Sequence, residues 1–305
     1  MAPLAPSPEI PRAAIRVLRD VAGPCTLPLV IGAERPTDIG TGVFFEAAGV
    51  SFILAAAHTV EKGARDGSCI SVPCPRGAAP IIDNADVILP KTAPLDCAVV
   101  KLSAENHAAL VDGGFVPLRQ NVLDAAYHPN TWPPANPAHF LCLFGFPAAT
   151  TEWDPTRRAV SVGRRAFTLL PHDGSGPPGF DPRYHIALSY PRTDEVSIWQ
   201  LDGSRVQAIK PGGFSGCGVW SLPLSRELAW QPSDVRLVAL QHAWVEGYRA
   251  PGAVRCTRIS VAIGMIRKAI PDLAPTLDLV FPAAQVLSPG DVSLVHRIHA
   301  HDGSE

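Results

Sequence analysis

Three polar side chains stand at odds with their surroundings. His58 interrupts the apolar run "FILAAAHTV", Asp96 interrupts "PLDCAVVKL", and Ser215 sits among glycines in "PGGFSGCGVW". Burial disfavours a charge unless another polar group meets it, so His58 and Asp96 each need a partner. A serine hydroxyl is a weak nucleophile at neutral pH. It becomes reactive when a histidine can take its proton and a carboxylate holds that histidine in the right tautomer. Attack on a carbonyl leaves negative charge on its oxygen, and backbone N–H groups aimed there are worth about 3–4 kcal/mol in the transition state. Glycines offer such donors with no side chain in the way. Taken singly, each residue also has a plainer reading: a satisfied core histidine, a turn aspartate, a small serine in a tight bend.

The elements that must position these groups are short and β-prone. After a Pro- and Ala-rich stretch over residues 1–24, read as an arm with one amphipathic patch around Ile15 to Leu18, "LPLVIG" opens a series of apolar segments divided by Gly, Pro and Asp. "TGVFFEAAGVSFILAAAH" reads as a hairpin turning near Ala48 and Gly49, followed by "CISVPC", "ADVILP" and "LDCAVVKL". A proline-rich link over 125–138 is the best internal boundary. Beyond it the strand rhythm resumes in "HFLCLFGF", "RAVSVGRRAFTLL", "YHIALSY", "RVQAI", "CGVWSL" and "VRLVALQHAWV". Helical spacing of Ile259, Ala262, Ile263, Ile266 and Ile270, with Thr257 placed to cap, predicts one helix over 257–271, packed on the second unit. The expected architecture is all-β: two six-stranded antiparallel barrels over 25–124 and 139–256, then the helix and an extension over 272–305.

These residues carry a resemblance. "TGVFF" with "ILAAAH", then "LDCAVVKL", then "GGFSGCGVW", in that order, is similar to the histidine, aspartate and serine motifs of the chymotrypsin-like serine proteases, above all their bacterial and viral branches. "LFGFP" is similar to the opening of that family's second barrel, and the likeness spans roughly residues 27–270. It implies a serine endopeptidase acting on a peptide or protein substrate through an acyl-enzyme, without metal or cofactor. His58 would be general base and then acid, Asp96 its orienting partner and Ser215 the nucleophile. The N–H groups of Gly213 and Ser215 would form the oxyanion hole. In secreted members an aspartate precedes the serine and pairs with a freshly cleaved N-terminal amine. Phe214 stands there in this chain, so no switch of that type is expected, and the loop must be ordered by packing, substrate or partner. Cys217 replaces the usual glycine two residues after the serine, either as inert packing or as an oxidisable group. For the substrate pocket the likeness points to Ile209 or Lys210 at the base and to Gln241 or His242 as a polar group. A preference for basic side chains does not follow from these residues.

Composition limits the other classes. The 305 residues are 47% hydrophobic and 18% charged with a formal net charge of -2, which provides no basic field for nucleic acid and no polybasic segment for a membrane. No secretory or membrane-spanning run is evident, and the seven cysteines cannot all pair, so a cytoplasmic protein is expected. Cys69 and Cys74 lack zinc spacing and a second pair, and His296, His299 and His301 read as part of a solvated tail. Two competing functions share the fold: a catalytically silent binding or regulatory module, and an esterase-like hydrolase on the same triad. A cytoplasmic protease also needs restraint, and a regulatory protein partner is one way to provide it.

Overall fold

The computed structural model describes residues 9–32, 35–64, 68–83, 85–91, 95–127, 139–156, 159–172, 176–190, 197–199, 205–207, 209–226, 229–245, 252–282, 286 and 292–298. Most of the proline-rich link, and His299 and His301, lie outside them. The helices are α1 (Glu9–Ala22), α2 (Ala57–Gly63), α3 (Ala104–Asp112), α4 (Ile259–Ala269) and α5 (Ala274–Val280). The first unit holds β1 (Thr26–Ile31), β2 (Asp38–Ala47), β3 (Val50–Ala55), β4 (Ile70–Ser71), β5 (Ile81–Ile82), β6 (Ala85–Pro90), β7 (Ala98–Lys101) and β8 (Leu118–Arg119). The second holds β9 (His139–Gly145), β10 (Thr151–Asp154), β11 (Ala159–Val162), β12 (Arg165–Pro171), β13 (His185–Tyr190), β14 (Ser197–Trp199), β15 (Arg205–Gln207), β16 (Gly218–Pro223), β17 (Arg236–Val245) and β18 (Gly252–Arg258), and β19 (Val292–Ile298) follows the helices.

The second unit closes as the expected six-stranded barrel, in the order β12, β13, β18, β17, β16, β9. The first is one curled sheet running β19, β6, β7, β3, β2, β1, β4, β5, with β8 added beside β2. The β2–β3 hairpin turns where expected. Ala48 and Gly49 both take left-handed backbone, at φ 51° and 75°, which matches the twist of the flanking strands.

Near-continuous apolar strands arise because both faces of each sheet are covered. Side chains alternate between two cores: along β2, Val43 and Phe45 enter a core shared between the units, while Phe44 turns into the interior of the first unit. Along β9, Cys142 and Phe144 join the shared core, and Leu141 and Leu143 fill the closed barrel. The shared core is what fixes one unit against the other, and therefore the two halves of any site built from both.

Three segments differ from expectation. Residues 9–22, expected within an arm, form α1, whose Ala14, Ile15, Leu18 and Ala22 are buried in the shared core. Helix α4 begins at Ile259 with Arg258 at its N-cap and no side-chain cap. Thr257 remains in β18 and does not cap. The helix packs on the second unit as expected, against β17 and β18, and goes further: it is buried almost all round and touches β6 and β7 as well. Finally, β19 pairs antiparallel with β6, so the extension returns to the first unit and covers the edge of its sheet.

If α1 belongs to the folded body, Leu18→Ala destabilises the protein by about 2–5 kcal/mol. Arg16→Ala, at an exposed position of the same helix, stays within about 0.5 kcal/mol. Urea unfolding of both variants checks this.

Candidate active site

Helix α2 starts as β3 ends, and His58 is its second residue. The first N–H groups of a helix have no partner within it. Ala56, at the N-cap, offers no side chain to meet them. Asp96, just before β7, does so from a distance: its Oδ1 accepts the His58 backbone N–H at 3.0 Å, and its Oδ2 accepts the His58 Nδ1–H at 2.6 Å. One carboxylate thus fixes both the backbone and the ring of His58. With Nδ1 donating, Nε2 is left as the acceptor, and both side chains keep partial access to solvent, 40% for His58 and 26% for Asp96. Burial alone would raise the Asp96 pKa, but the hydrogen bond and the charge of His58 outweigh it and hold the carboxyl below its usual range.

Ser215 lies in the second of two consecutive turns. The Phe214 N–H donates to the Pro211 carbonyl at 3.1 Å, and the Cys217 N–H donates to the Phe214 carbonyl at 2.7 Å. The third residue of each turn is a glycine in the left-handed region, Gly213 at φ 86° and Gly216 at φ 90°. A Cβ on Gly213 would strike Ala148 N, and one on Gly216 would strike Thr41 O, so space as well as backbone angle requires glycine. A trans peptide points its C=O and N–H in opposite directions. The Gly212 carbonyl is held by the Ala148 N–H at 2.7 Å, which aims the Gly213 N–H outward. The Phe214 carbonyl, held by the Cys217 N–H, does the same for the Ser215 N–H. Neither of those N–H groups makes a hydrogen bond among the described residues.

The neighbours of the serine anchor this loop. Phe214 is fully buried, with its ring tilted against Phe167 at 4.9 Å between centroids. Burying a phenylalanine contributes about 1.5–3 kcal/mol. Cys217 is also fully buried, and burial pushes its thiol well up, so it packs and does not react. Gly145, in "LFGFP", is required by the same packing: a Cβ there would lie 2.6 Å from the Cys217 Cβ.

The loop lies against the segment that leads into His58. A Cβ on Gly216 would come within 2.9 Å of Ala56 N, and the Thr41 N–H donates to the Ser215 carbonyl at 2.9 Å. The sequence-expected histidine, aspartate and serine are therefore brought to one seam between the units. His58 and Asp96 are bonded to each other; no hydrogen bond joins Ser215 Oγ to His58 Nε2 among the described residues.

The four pocket candidates are dispersed in environment. Ile209 is half-buried and its carbonyl accepts the Tyr190 hydroxyl at 2.8 Å, while Lys210 is exposed. Gln241 and His242 are only 1% and 3% exposed. They occupy a β-bulge where β17 shifts register against β18, between Gln241 and Ala243, and a bulge of this kind re-aims a side chain that alternation would turn outward. His242 Nε2 accepts the Arg255 Nε–H at 2.8 Å, which leaves Nδ1 to donate to Thr257 Oγ1 at 2.8 Å. Both ring nitrogens are thus committed inside the fold. Burial lowers the His242 pKa to about 3, helped by His185, Arg255 and His58 and opposed by Asp96. Periodicity in the sequence carries no signal for the bulge, nor for Thr41 as the partner of the serine loop.

No protein-family model matches the sequence, and no curated protein matches it. Among solved structures the chain is similar to a serine endoprotease from Yersinia pestis, at 15% identity and a TM-score of 0.47, covering 85% of this chain and 67% of that one. It is also similar to the HtrA-type protease AlgW with a tripeptide, at 14% identity and a TM-score of 0.45, covering 84% and 64%. The chain spans about two thirds of the length of these structures. Its own strand order gives the architecture: a closed six-stranded antiparallel barrel and a curled sheet, antiparallel but for β8, that share a core, then a helix. The fold is a chymotrypsin-like double barrel.

The buried neutral state of His242 has a consequence for stability. Its folded pKa is lowered, so between pH 6.5 and about 3 the unfolded chain takes up a proton that the folded chain does not. Stability should therefore fall on acidification through that window, by up to about 1.4 kcal/mol per pH unit from this group. In His242→Gln the slope of unfolding free energy against pH between 4 and 6 should be smaller by about 1 kcal/mol per unit. Urea titrations across that range check it, and an unchanged slope would place the charge uptake elsewhere.

Proposed function

We propose that this chain is a serine endopeptidase. The observation that carries the reading is the Asp96 clamp, which orients His58 with Nε2 as the acceptor, at the seam where the Ser215 loop presents two uncommitted N–H groups. In the proposed reaction His58 Nε2 takes the Ser215 Oγ proton as Oγ attacks the carbonyl carbon of a peptide. The carbonyl oxygen gains the negative charge and is met by the N–H groups of Gly213 and Ser215. As the C–N bond breaks, His58 returns the proton to the leaving amine, and an acyl group remains on Ser215. Water then gives a proton to His58 and attacks the acyl carbon; the acid product leaves as the proton returns to Ser215. Asp96 stabilises the imidazolium formed in each half-reaction and is itself never protonated.

Seven free thiols, six of them buried, are consistent with action in a reducing compartment such as the cytoplasm. One observation favours a second reading. The hydrogen bond between Ser215 Oγ and His58 Nε2 is not formed among the described residues, as it would not need to be in a protease-fold binding module. Such contacts also commonly tighten only when substrate binds, so activity decides between the two.

An unbiased peptide library is the discriminating substrate because it tests hydrolysis and reads the pocket together. Cleavage by the wild-type protein, abolished by Ser215→Ala and reduced about 10⁴-fold in kcat by Asp96→Asn, is the expected outcome. Intact peptides after exposure to folded wild-type protein would favour the binding module.

A further inference from the structure

Thr41 has a role in the site that its distance from the serine in sequence conceals. It lies in β2, in the first unit, and is fully buried. Its Oγ1 accepts the Phe146 N–H at 3.0 Å and donates to the Gly213 carbonyl at 2.9 Å. A hydroxyl has a single hydrogen. Because the Phe146 N–H can only donate, that hydrogen is free for the Gly213 carbonyl, and the orientation of the bond is fixed. The backbone of the same residue donates to the Ser215 carbonyl at 2.9 Å, and its own carbonyl fills the space beside Gly216 that a Cβ would need.

The peptide planes from Gly212 to Gly216 are therefore all held. Ala148 N–H takes the Gly212 carbonyl and Cys217 N–H takes that of Phe214. Thr41 takes the other two, Gly213 by its side chain and Ser215 by its backbone. We propose that Thr41 is the positioning residue that orders the oxyanion loop from the opposite unit, so that the loop is set without an N-terminal amine, a ligand or a partner. This rests on reading Ser215 as a nucleophile. Thr41 touches no reacting atom; it acts through the peptide planes on either side of Phe214 and Ser215. The Phe214 N–H still holds the Gly213–Phe214 plane through the Pro211 carbonyl, so losing the hydroxyl loosens that plane without freeing it, and the neighbouring Gly213 N–H is then aimed less tightly at the developing oxyanion.

The test uses p-nitrophenyl acetate as an acylating probe together with amide hydrogen exchange. In wild-type protein a burst of p-nitrophenolate reports acylation of Ser215. Thr41→Val keeps the shape and removes the hydroxyl, and is expected to slow the acylation step about 10- to 100-fold with little change in probe affinity. Thr41→Ser restores the hydroxyl and is expected to recover most of the rate. Should the valine variant fail to fold, Thr41→Ala is read in the same way. In parallel, exchange of the hydrogen-bonded amides of Phe214, Gly216, Cys217 and Phe146 should quicken in the valine or alanine variant and return to the wild-type rate with serine. An undiminished burst in Thr41→Val, or an equal loss in Thr41→Ser, overturns the proposal, as does unchanged exchange. If wild-type protein gives no burst, the serine-hydrolase reading fails, and the exchange data alone then decide whether Thr41 holds the loop.

Discussion

A single backbone hydrogen bond, from the Thr41 N–H to the Ser215 carbonyl, marks where the two halves of the site meet. His58 and Asp96 lie in the first unit and Ser215 in a loop of the second, so nothing within either unit fixes their separation. What fixes it is the seam. Gly40 is small for that reason: a Cβ there would press on the Thr59 side chain and lie 3.3 Å from the Ser215 carbonyl oxygen, whereas Gly42 makes room for Ile53 and Leu29 inside the first unit. Around this contact the shared core gathers α1, α4 and inward residues of both sheets. Helix α4 touches strands of both units, and β19 ties the chain beyond it back to β6. The site is thus a property of the interface, and elements far from the serine contribute to it by holding the units in register.

Packing and neutral hydrogen bonds supply the order at the serine loop. A buried aromatic ring at position 214 and a buried hydroxyl at position 41 are insensitive to salt, unlike a charge pair near the surface. The same preference extends below the site. His242 is buried as a neutral imidazole between Arg255 and Thr257, and Asp96 is the carboxylate whose charge is stabilised there, by the histidine it orients.

Much of this was legible in the sequence because each piece had a local signature. The strands show as apolar runs, the first hairpin as Ala48-Gly49, and the serine turns as glycines that neither strand nor helix would choose. His58, Asp96 and Ser215 stood out because each places a polar group where burial demands a partner. The missed features are those whose cause is distant. Helix α1 was masked by Pro11, which is tolerated in a first turn. Helix α2 has no signature in the adjacent sequence, where Ala57 and His58 read as the end of the hairpin, because the group that meets its first N–H is Asp96, 38 residues on. Thr257 looks like a cap but lies in a strand that continues to Arg258. The bulge at His242 and the pairing of β19 with β6 depend on register and non-local contact, to which periodicity is blind.

The most direct measurement is peptide mapping by mass spectrometry after exposing the untreated, folded protein to a fluorophosphonate. The account predicts a single phosphonyl adduct on Ser215, formed without any activator or processing and absent from His58→Ala and Ser215→Ala. An unmodified Ser215 in folded wild-type protein, or equal labelling in His58→Ala, would contradict it.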